Sequence, residues 1–337
     1  MTAHRDLKEF DKQSDWYATI VIPTPSNLDH AQDRFQLEWH HARAQLSDRW
    51  GPDEIAELDA VVSGLRHSIG AALVIVHAQG GATLIEPLDE PVAAPTVYEG
   101  PLPRWATVIE ARQRVIPHVV VEADRAGADI VAFDGGTVLA TEIVEGDTEY
   151  IHRGHPGGWS QRRYQQRAEN TWEDNARDVA AVAAELAGKV GAELVAVAGD
   201  VRAQGFVLDH LPTAVRAITV KIDAGSPEGI ADELVRRLST ITAERITAAA
   251  EQVRARLEQG LATVDADAVM SALREGRVET LLVHDANEPP GPPDDATPGR
   301  GRLVDQAIVA ALATDAEILV VPSLAMMNGP VAATLRW

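Results

Sequence analysis

A regular apolar stripe predicts one long helix in the middle of the chain and limits the folds that the chain can adopt. From Ser160 to Lys189, apolar residues recur every three or four positions, which is the spacing of a helix with one buried face. They are Tyr164, Ala168, Trp172, Ala176, Val179, Val182 and Leu186. A helix of this length spans about 45 Å. Valine-rich runs on either side, Val115–Glu122 and Glu193–Gly199, predict buried strands. Alternating strands and helices indicate an α/β fold.

A length of 337 residues exceeds one typical domain, and we predict three, at 1–104, 105–223 and 224–337. In the first domain the sequence predicts a strand at Tyr17–Ile22, helices at Leu28–Arg49 and Pro52–Ile69, and a hairpin of Ala71–His77 and Ala82–Ile85. The five prolines of residues 87–103 predict a linker without regular structure.

The other two domains show the same alternation of strands and helices. The middle domain has a predicted hairpin, Ile130–Phe133 with Thr137–Val144, and a late strand, Ala217–Ile222. In the third domain we predict helices at Glu228–Gln259, Asp265–Glu275 and Leu303–Thr314, strands at Thr280–His284 and Glu317–Pro322, and a last strand from Gly329. The proline-rich segment 285–301 between them is predicted to be disordered.

Composition narrows the classes of function. The chain has no cysteine, which excludes disulfides, thiolate metal sites and cysteine nucleophiles and fits a reducing compartment. The first residues are charged and no apolar run reaches the length of a membrane span, so we expect a cytoplasmic protein without a membrane partner. A net charge of −21 argues against a general binder of nucleic acids or membrane surfaces, and we expect no DNA partner.

One segment departs from this acidic character. Between Glu149 and Glu169 there is no acid, and the segment holds His152, Arg153, His155, Arg162, Arg163 and Arg167 around the pair Gly157-Gly158. Paired glycines let a backbone approach another surface closely, and arginine binds phosphate well. Two interpretations stay open on these grounds: a loop that binds RNA, and a solvated turn before an amphipathic helix.

The sequence lacks residues that a serine hydrolase, a nucleotide-binding site or a metal site would need. Ser160 is followed by Arg162 where a hydrolase nucleophile elbow needs glycine. The chain has neither a dinucleotide-binding glycine motif nor a phosphate-binding loop. His152 and His155 lack a third ligand at a recognisable spacing. We therefore predict no metal and no cofactor.

The segment from Gly157 to Tyr164, Gly-Gly-Trp-Ser-Gln-Arg-Arg-Tyr, with the following Glu169-Asn170 and Val179-Ala180, resembles the Gly-Gly-Gln loop and helix of archaeal and eukaryotic class-I release factors. The strand Leu194–Gly199 and the terminal Ala-Ala-Thr-Leu-Arg-Trp are similar to later parts of release factors and Pelota. The resemblance covers about 105–337. It is strongest to bacterial, particularly actinobacterial, members of the type related to the hibernation factor Balon.

This resemblance implies a three-domain α/β architecture with mixed sheets and packed helices. It also implies that the middle domain reaches 23S rRNA near the peptidyl-transferase centre. The third domain is then expected to contact ribosomal elements or a translational GTPase such as EF-Tu, with tRNA as a further partner. Gly157, Gly158, Trp159 and Ser160 correspond to the loop tip, and Arg153, Arg162, Arg163 and Arg167, with His152 and His155, to RNA-binding positions.

One position departs from the family pattern. Trp159 stands where hydrolysing members have the glutamine that places water against the peptidyl-tRNA ester. An indole lacks the carbonyl acceptor and stacks on bases. Gln161 is the alternative catalytic residue, if the loop tolerates a shift of up to about 7 Å.

The leading hypothesis is a factor that blocks the acceptor site of idle or stalled ribosomes. The alternatives are a peptidyl-tRNA hydrolase that uses Gln161 and a stress regulator that binds only proteins.

Overall fold

The computed structural model describes residues 4–24, 31–65, 70–134, 137–146, 159–224, 226–285, 301–322 and 329–337, with only the backbone of 159–170. These residues form the mixed α/β fold that the sequence predicts, with three sheets. The chain divides into two compact units, one of residues 1–113 and 245–337, the other of residues 114–244. Among the described residues no helix is both long and apolar enough to cross a membrane.

The first sheet lies in the first unit and is antiparallel. Its strands are β1 (Tyr17–Pro23), β2 (Ala72–Ala78), β3 (Thr83–Leu88) and β4 (Thr96–Gly100), in the order β3-β2-β1-β4. The helices before and between them are α1 (Arg5–Phe10), α2 (Ala31–Arg43) and α3 (Pro52–Gly64). Pro52 opens α3, where its missing N–H costs nothing, and the Glu54 carboxylate accepts a hydrogen bond from Gly51 N at 2.9 Å. Helices α2 and α3 pack on one face of this sheet and form a hydrophobic core with it.

The prediction of a structureless linker at 87–103 is wrong, because β4 lies within it. Thr96–Gly100 pairs with β1 along its whole length, so the prolines only bound the strand. Helix α2 ends at Arg43 and does not continue to the predicted Arg49. Glu99 on β4 accepts hydrogen bonds from Ser47 N at 2.7 Å and Ser47 Oγ at 2.5 Å, which hold the segment after α2 against β4.

The sheet of the second unit carries the long helix. Helix α4 (Trp105–Gln113), which belongs to the first unit, precedes it in the chain. The strands are β5 (His118–Ala123), β6 (Gly127–Asp134), β7 (Thr137–Glu145), β8 (Leu194–Gly199) and β9 (Thr219–Lys221), and the helices are α5 (Trp159–Val190), α6 (Val201–His210) and α7 (Thr213–Ala217). The strand order is β7-β6-β5-β8-β9; β8 is parallel to β5 and β9, and the β5–β6–β7 meander is antiparallel.

The third sheet completes the first unit. Helix α8 (Pro227–Leu257), within which the two units divide, leads into β10 (Ala262–Thr263), α9 (Ala266–Arg274), β11 (Val278–Val283), α10 (Leu303–Ala313), β12 (Glu317–Val320) and β13 (Val331–Leu335). The strand order is β10-β13-β11-β12. Of the segment 285–301, predicted to be disordered, residues 286–300 lie outside the described residues.

One core joins the two sheets of the first unit. Helices α1 and α4 supply it with Leu7, Phe10, Trp105 and Ile109, which pack with the apolar residues of α9, α10 and the third sheet. Trp105 is fully buried and meets the ring of Phe10 edge-on at 5.5 Å. Helix α4 thus packs in the first unit, although the sequence assigned residue 105 onward to the middle domain. The three-domain division itself stays a prediction.

Candidate functional site

The predicted loop lies between β7 and α5. Of the predicted site residues, Trp159, Ser160, Gln161, Arg162, Arg163 and Arg167 lie in the first three turns of α5. The predicted loop and RNA-binding residues His152, Arg153, His155, Gly157 and Gly158 lie outside the described residues. The role of each of these residues, including catalysis by Gln161, therefore stays a prediction.

Helix α5 packs on the sheet through the stripe seen in the sequence. Its buried apolar residues are Ala176, Val179, Ala180, Ala183, Leu186 and Ala187, which contact the inner faces of β5, β6 and β8. Each residue turns a helix by about 100°. By this periodicity, positions 163 and 167 fall on the side of α5 opposite the buried stripe, one turn apart. Both positions are arginine.

Arg125, in the turn between β5 and β6, connects three elements of the second unit. Its guanidinium donates hydrogen bonds to Asp200 Oδ2 from Nε at 3.2 Å and from Nη2 at 3.1 Å, and its Cζ lies 4.9 Å from the ring centroid of Trp172 on α5. Burial acts to raise the pKa of Asp200, but hydrogen bonds from Ala203 N and Arg202 N and the charge of Arg125 outweigh it, so the pKa is lowered. The carboxylate therefore stays charged as the N-cap of α6.

A second contact fixes the end of β7 against α5. Gly146 N donates a hydrogen bond to Ala126 O at 2.6 Å, and Asn175 Nδ2 donates one to Arg125 O at 3.2 Å. Asn175 is 5% exposed, and its carboxamide lies so close to Gly146 that a Cβ there would meet its atoms at 2.2 to 2.4 Å. Only glycine fits at 146 while Asn175 keeps its place.

An acidic cleft lies beside these contacts. It has a volume of about 600 Å³, and its lining includes the carboxylates of Glu122, Asp124, Asp129, Glu145 and Asp200. Within the described ranges, no group of three or more histidine, aspartate or glutamate residues is arranged to hold a metal ion. An acidic cleft repels phosphate, so an RNA-binding role for the second unit has to come from its arginines.

The first unit contains a separate cluster of buried charges. Arg302, with its side chain 5% exposed, donates to both oxygens of Asp305 at 2.9 and 2.8 Å and to Asp285 Oδ1 at 2.6 Å. Burial raises the pKa of Asp305 to about 6, against the opposing effect of Arg302. Arg104 lies over the ring of Tyr98 on β4, its Cζ 3.7 Å from the centroid. The cluster ties β4 to the start of α10.

Sequence reasoning did not find the contacts at the base of α5. A signal existed for Asp200, because an aspartate after a strand and a glycine is a typical N-cap, yet α6 was not predicted. Arg125, Gly146 and Asn175 carry no such signal. A polar residue in a turn or on a helix has the same local pattern whether or not a partner 50 positions away contacts it.

The described residues define a mixed α/β protein whose long helix α5 directly follows Gly157-Gly158 in the sequence. Residues 117–263, which hold this loop and helix, match the model of the family described as bacterial archaeo-eukaryotic release factor family 2. This part of the chain is thus similar to a bacterial family of archaeo-eukaryotic release factors.

Relatives and solved structures of low identity are also similar. An uncharacterised protein of Mycobacterium tuberculosis strain H37Rv is 27% identical over 285 residues, which cover 81% of this chain and 75% of the relative. Pelota of Archaeoglobus fulgidus is 17% identical over 79% of each chain, with a TM-score of 0.36. Dom34 of S. cerevisiae, a translation termination-like factor that interacts with Hbs1, is 10% identical over 99% of this chain and 93% of its own, with a TM-score of 0.44.

Proposed function

We propose that this protein is a cytoplasmic, ribosome-associated translation factor that occupies the acceptor site of idle or stalled ribosomes, close to the peptidyl-transferase centre of 23S rRNA. One observation carries the proposal. A chain with a net charge of −21 gathers four arginines and two histidines, and no acid, between Glu149 and Glu169. Such a local concentration of cations binds the phosphates of RNA favourably.

Three further facts support an RNA contact by this segment. By helix periodicity, positions 163 and 167 fall on the side of α5 opposite its buried stripe. The cleft of the second unit is lined by acids and repels phosphate, so a contact with RNA has to come from another part of the unit. The family match at 117–263 includes the loop and associates this part of the chain with release factors, which act on the ribosome.

Trp159 determines the kind of factor that we propose. The indole stacks on bases and cannot accept a hydrogen bond from water, so it blocks the site and does not position water for hydrolysis. This gives a stress or hibernation factor that protects ribosomes. A translational GTPase such as EF-Tu, and tRNA, are the further partners that we propose, because residues 117–263 match a release-factor family.

The proposal is tested by co-sedimentation with 70S ribosomes from stationary-phase cells. We expect the wild type to sediment with the ribosomes and the Arg162→Glu/Arg163→Glu variant to bind at least about tenfold more weakly. Because each phosphate contact releases counterions, removing two of them also reduces the slope of log affinity against log salt by about 2.

A matched variant controls for net charge. Arg236→Glu/Arg237→Glu reverses an adjacent arginine pair on α8, with side chains 71% and 48% exposed, and changes the net charge by the same amount. We expect it to bind 70S ribosomes like the wild type. Equal weakening by both double variants, or equal binding of the wild type and the loop variant, contradicts a specific RNA contact at the loop.

A further inference from the structure

We propose that the contact between Gly146 and Asn175 is the positioning element of the Gly-Gly-Trp loop. It holds Gly146, which directly follows the last strand before the loop, against the helix that follows the loop. Asn175 lies 16 residues after Trp159 along α5, so we assign it the role of a positioning residue. The inference rests on the proposed function for its biological meaning, but its geometric part can be tested alone.

The contact joins the two chain segments that flank the loop. Gly146 follows β7 directly, and its N–H is bound to Ala126 O at 2.6 Å. Asn175 lies on α5 and reaches the same turn through its hydrogen bond to Arg125 O at 3.2 Å. The turn thus holds both segments, and it is held in place by the ion pair of Arg125 with Asp200.

Because the contact lies far from the first residue of α5, a small change in helix direction at the contact displaces that residue considerably. Trp159 precedes Asn175 by 16 residues, which is about 24 Å of helix at 1.5 Å per residue. A change of about 5° in the direction of this part of α5 moves its first residue by about 2 Å. Both Trp172, which is half-buried, and Asn175, which is buried, contact Arg125 in the turn between β5 and β6. A displacement at Asn175 is therefore amplified at the loop.

The contact is also intolerant of added volume. A methyl group at 146 would lie 2.2 Å from Asn175 Cγ, 2.4 Å from Nδ2 and 2.4 Å from Oδ1. Such distances force the end of β7 or the helix to move. Removing the carboxamide with Asn175→Ala opens the space that the methyl group needs. The two changes are thus expected to compensate each other in one protein.

The absence of cysteine makes a direct measurement of loop position possible. In the full chain, His155→Cys and Lys221→Cys introduce two labelling sites, one in the loop and one at an exposed position of the edge strand β9, so that the vector between them does not run along α5. Pulsed dipolar spectroscopy between two spin labels then reports the distance from loop to sheet. Gly146→Ala is expected to shift the mean distance by up to about 2 Å, and Asn175→Ala to broaden its distribution.

Two variants serve as references. The double variant Gly146→Ala/Asn175→Ala is expected to return the mean distance toward that of the labelled parent. Gly188→Ala, also on α5, adds a methyl group with no atom within 4 Å and is expected to change nothing. Circular dichroism at the measurement temperature verifies that each protein is folded. If folded Gly146→Ala and Asn175→Ala both keep the parent distribution, the positioning role is refuted.

The consequence for function is measured with the unlabelled proteins and 70S ribosomes. Asn175→Ala is expected to bind about tenfold more weakly, because a loop that is no longer held in the binding position lowers the affinity. Altered distances with no ribosome binding by the wild type leave the positioning role standing and refute the proposed function. If the distances are unaltered but ribosome binding depends on Arg162 and Arg163, the positioning role is refuted and the proposed function stands.

Discussion

The carboxamide of Gln113 pairs with the backbone of Val320 as a strand residue would. Gln113 Nε2 donates to Val320 O at 2.7 Å, and Val320 N donates to Gln113 Oε1 at 2.9 Å. Val320 ends β12, which is the last strand of its sheet and has no further strand beside it in the described chain. One side chain thus satisfies two edge groups and joins the end of α4 to a sheet 207 positions away.

Gln113→Glu should destabilise the first unit. The carboxylate loses the Nε2 donor and faces the carbonyl oxygen of Val320, so we expect a loss of about 1–3 kcal/mol in the free energy of unfolding. Urea unfolding followed by circular dichroism measures it. Gln259→Glu is the control, because the amide of Gln259 donates to Ala255 O on an exposed helix surface. A similar loss for both variants would show that the hydrogen bonds between Gln113 and Val320 add no more to stability than a surface hydrogen bond does.

Asp305 should make stability fall as the pH rises from 4 toward 6. Burial raises the pKa of Asp305 from 3.8 to about 6, so the folded protein holds a proton in this range that the unfolded chain releases. The free energy of unfolding of the wild type, minus that of Asp305→Asn, is therefore largest near pH 4 and decreases through pH 6. Unfolding measured at several pH values gives this difference.

Asp6 provides the contrasting case for the same measurement. The hydrogen bond from Arg112 lowers the pKa of Asp6, so its contribution to stability is present above pH 3.8 and is lost as the pH falls through its folded value. The wild type minus Asp6→Asn difference should stay level from pH 7 to pH 4. A parallel decrease for both aspartates between pH 4 and 6 would mean that burial of Asp305 is not the cause.

Gly199→Ala should destabilise the second unit by at least about 2 kcal/mol. Gly199 has a φ of +100°, and a Cβ there would lie 2.1 Å from Ala123 O, a backbone atom of the neighbouring strand. Gly205→Ala on α6 meets no atom within 4 Å and should stabilise by about 0.5–1 kcal/mol. The midpoints of thermal unfolding distinguish the two, and the reverse order would contradict the geometry.

The wild type should not release peptide from purified stalled ribosomes. Trp159 lacks the acceptor that hydrolysing members use to place water, and Gln161 lies two residues further along, within α5. Release measured with labelled peptidyl-tRNA decides between blocking and hydrolysis. Release that is lost in Gln161→Ala but kept in Trp159→Ala would establish the hydrolase alternative. No release by the wild type or by Trp159→Gln would eliminate it.

Local patterns predicted most of the elements, because period and capping are properties of neighbouring residues. The stripe from Ser160 to Lys189 predicted a helix that the structure has at Trp159–Val190. The valine-rich run at 193–199 predicted β8, and the chain end predicted β13. The prediction of a structureless linker at 87–103 was wrong because the strand there depends on distant residues. Prolines dominate the local pattern of this segment, whereas its hydrogen bonds are made to β1, about 80 residues earlier.

By itself, the sequence determined that this chain is an acidic α/β protein with one cationic, glycine-containing segment at the start of a long helix, because charge, periodicity and glycine pairs are local properties. Only the tertiary structure decided what supports that helix. Gly146 and Asn175, like Gln113 and Val320, meet because folding brings distant segments together. Their close contacts arise from packing, and no local pattern encodes which distant atom will fill the space beside a given backbone.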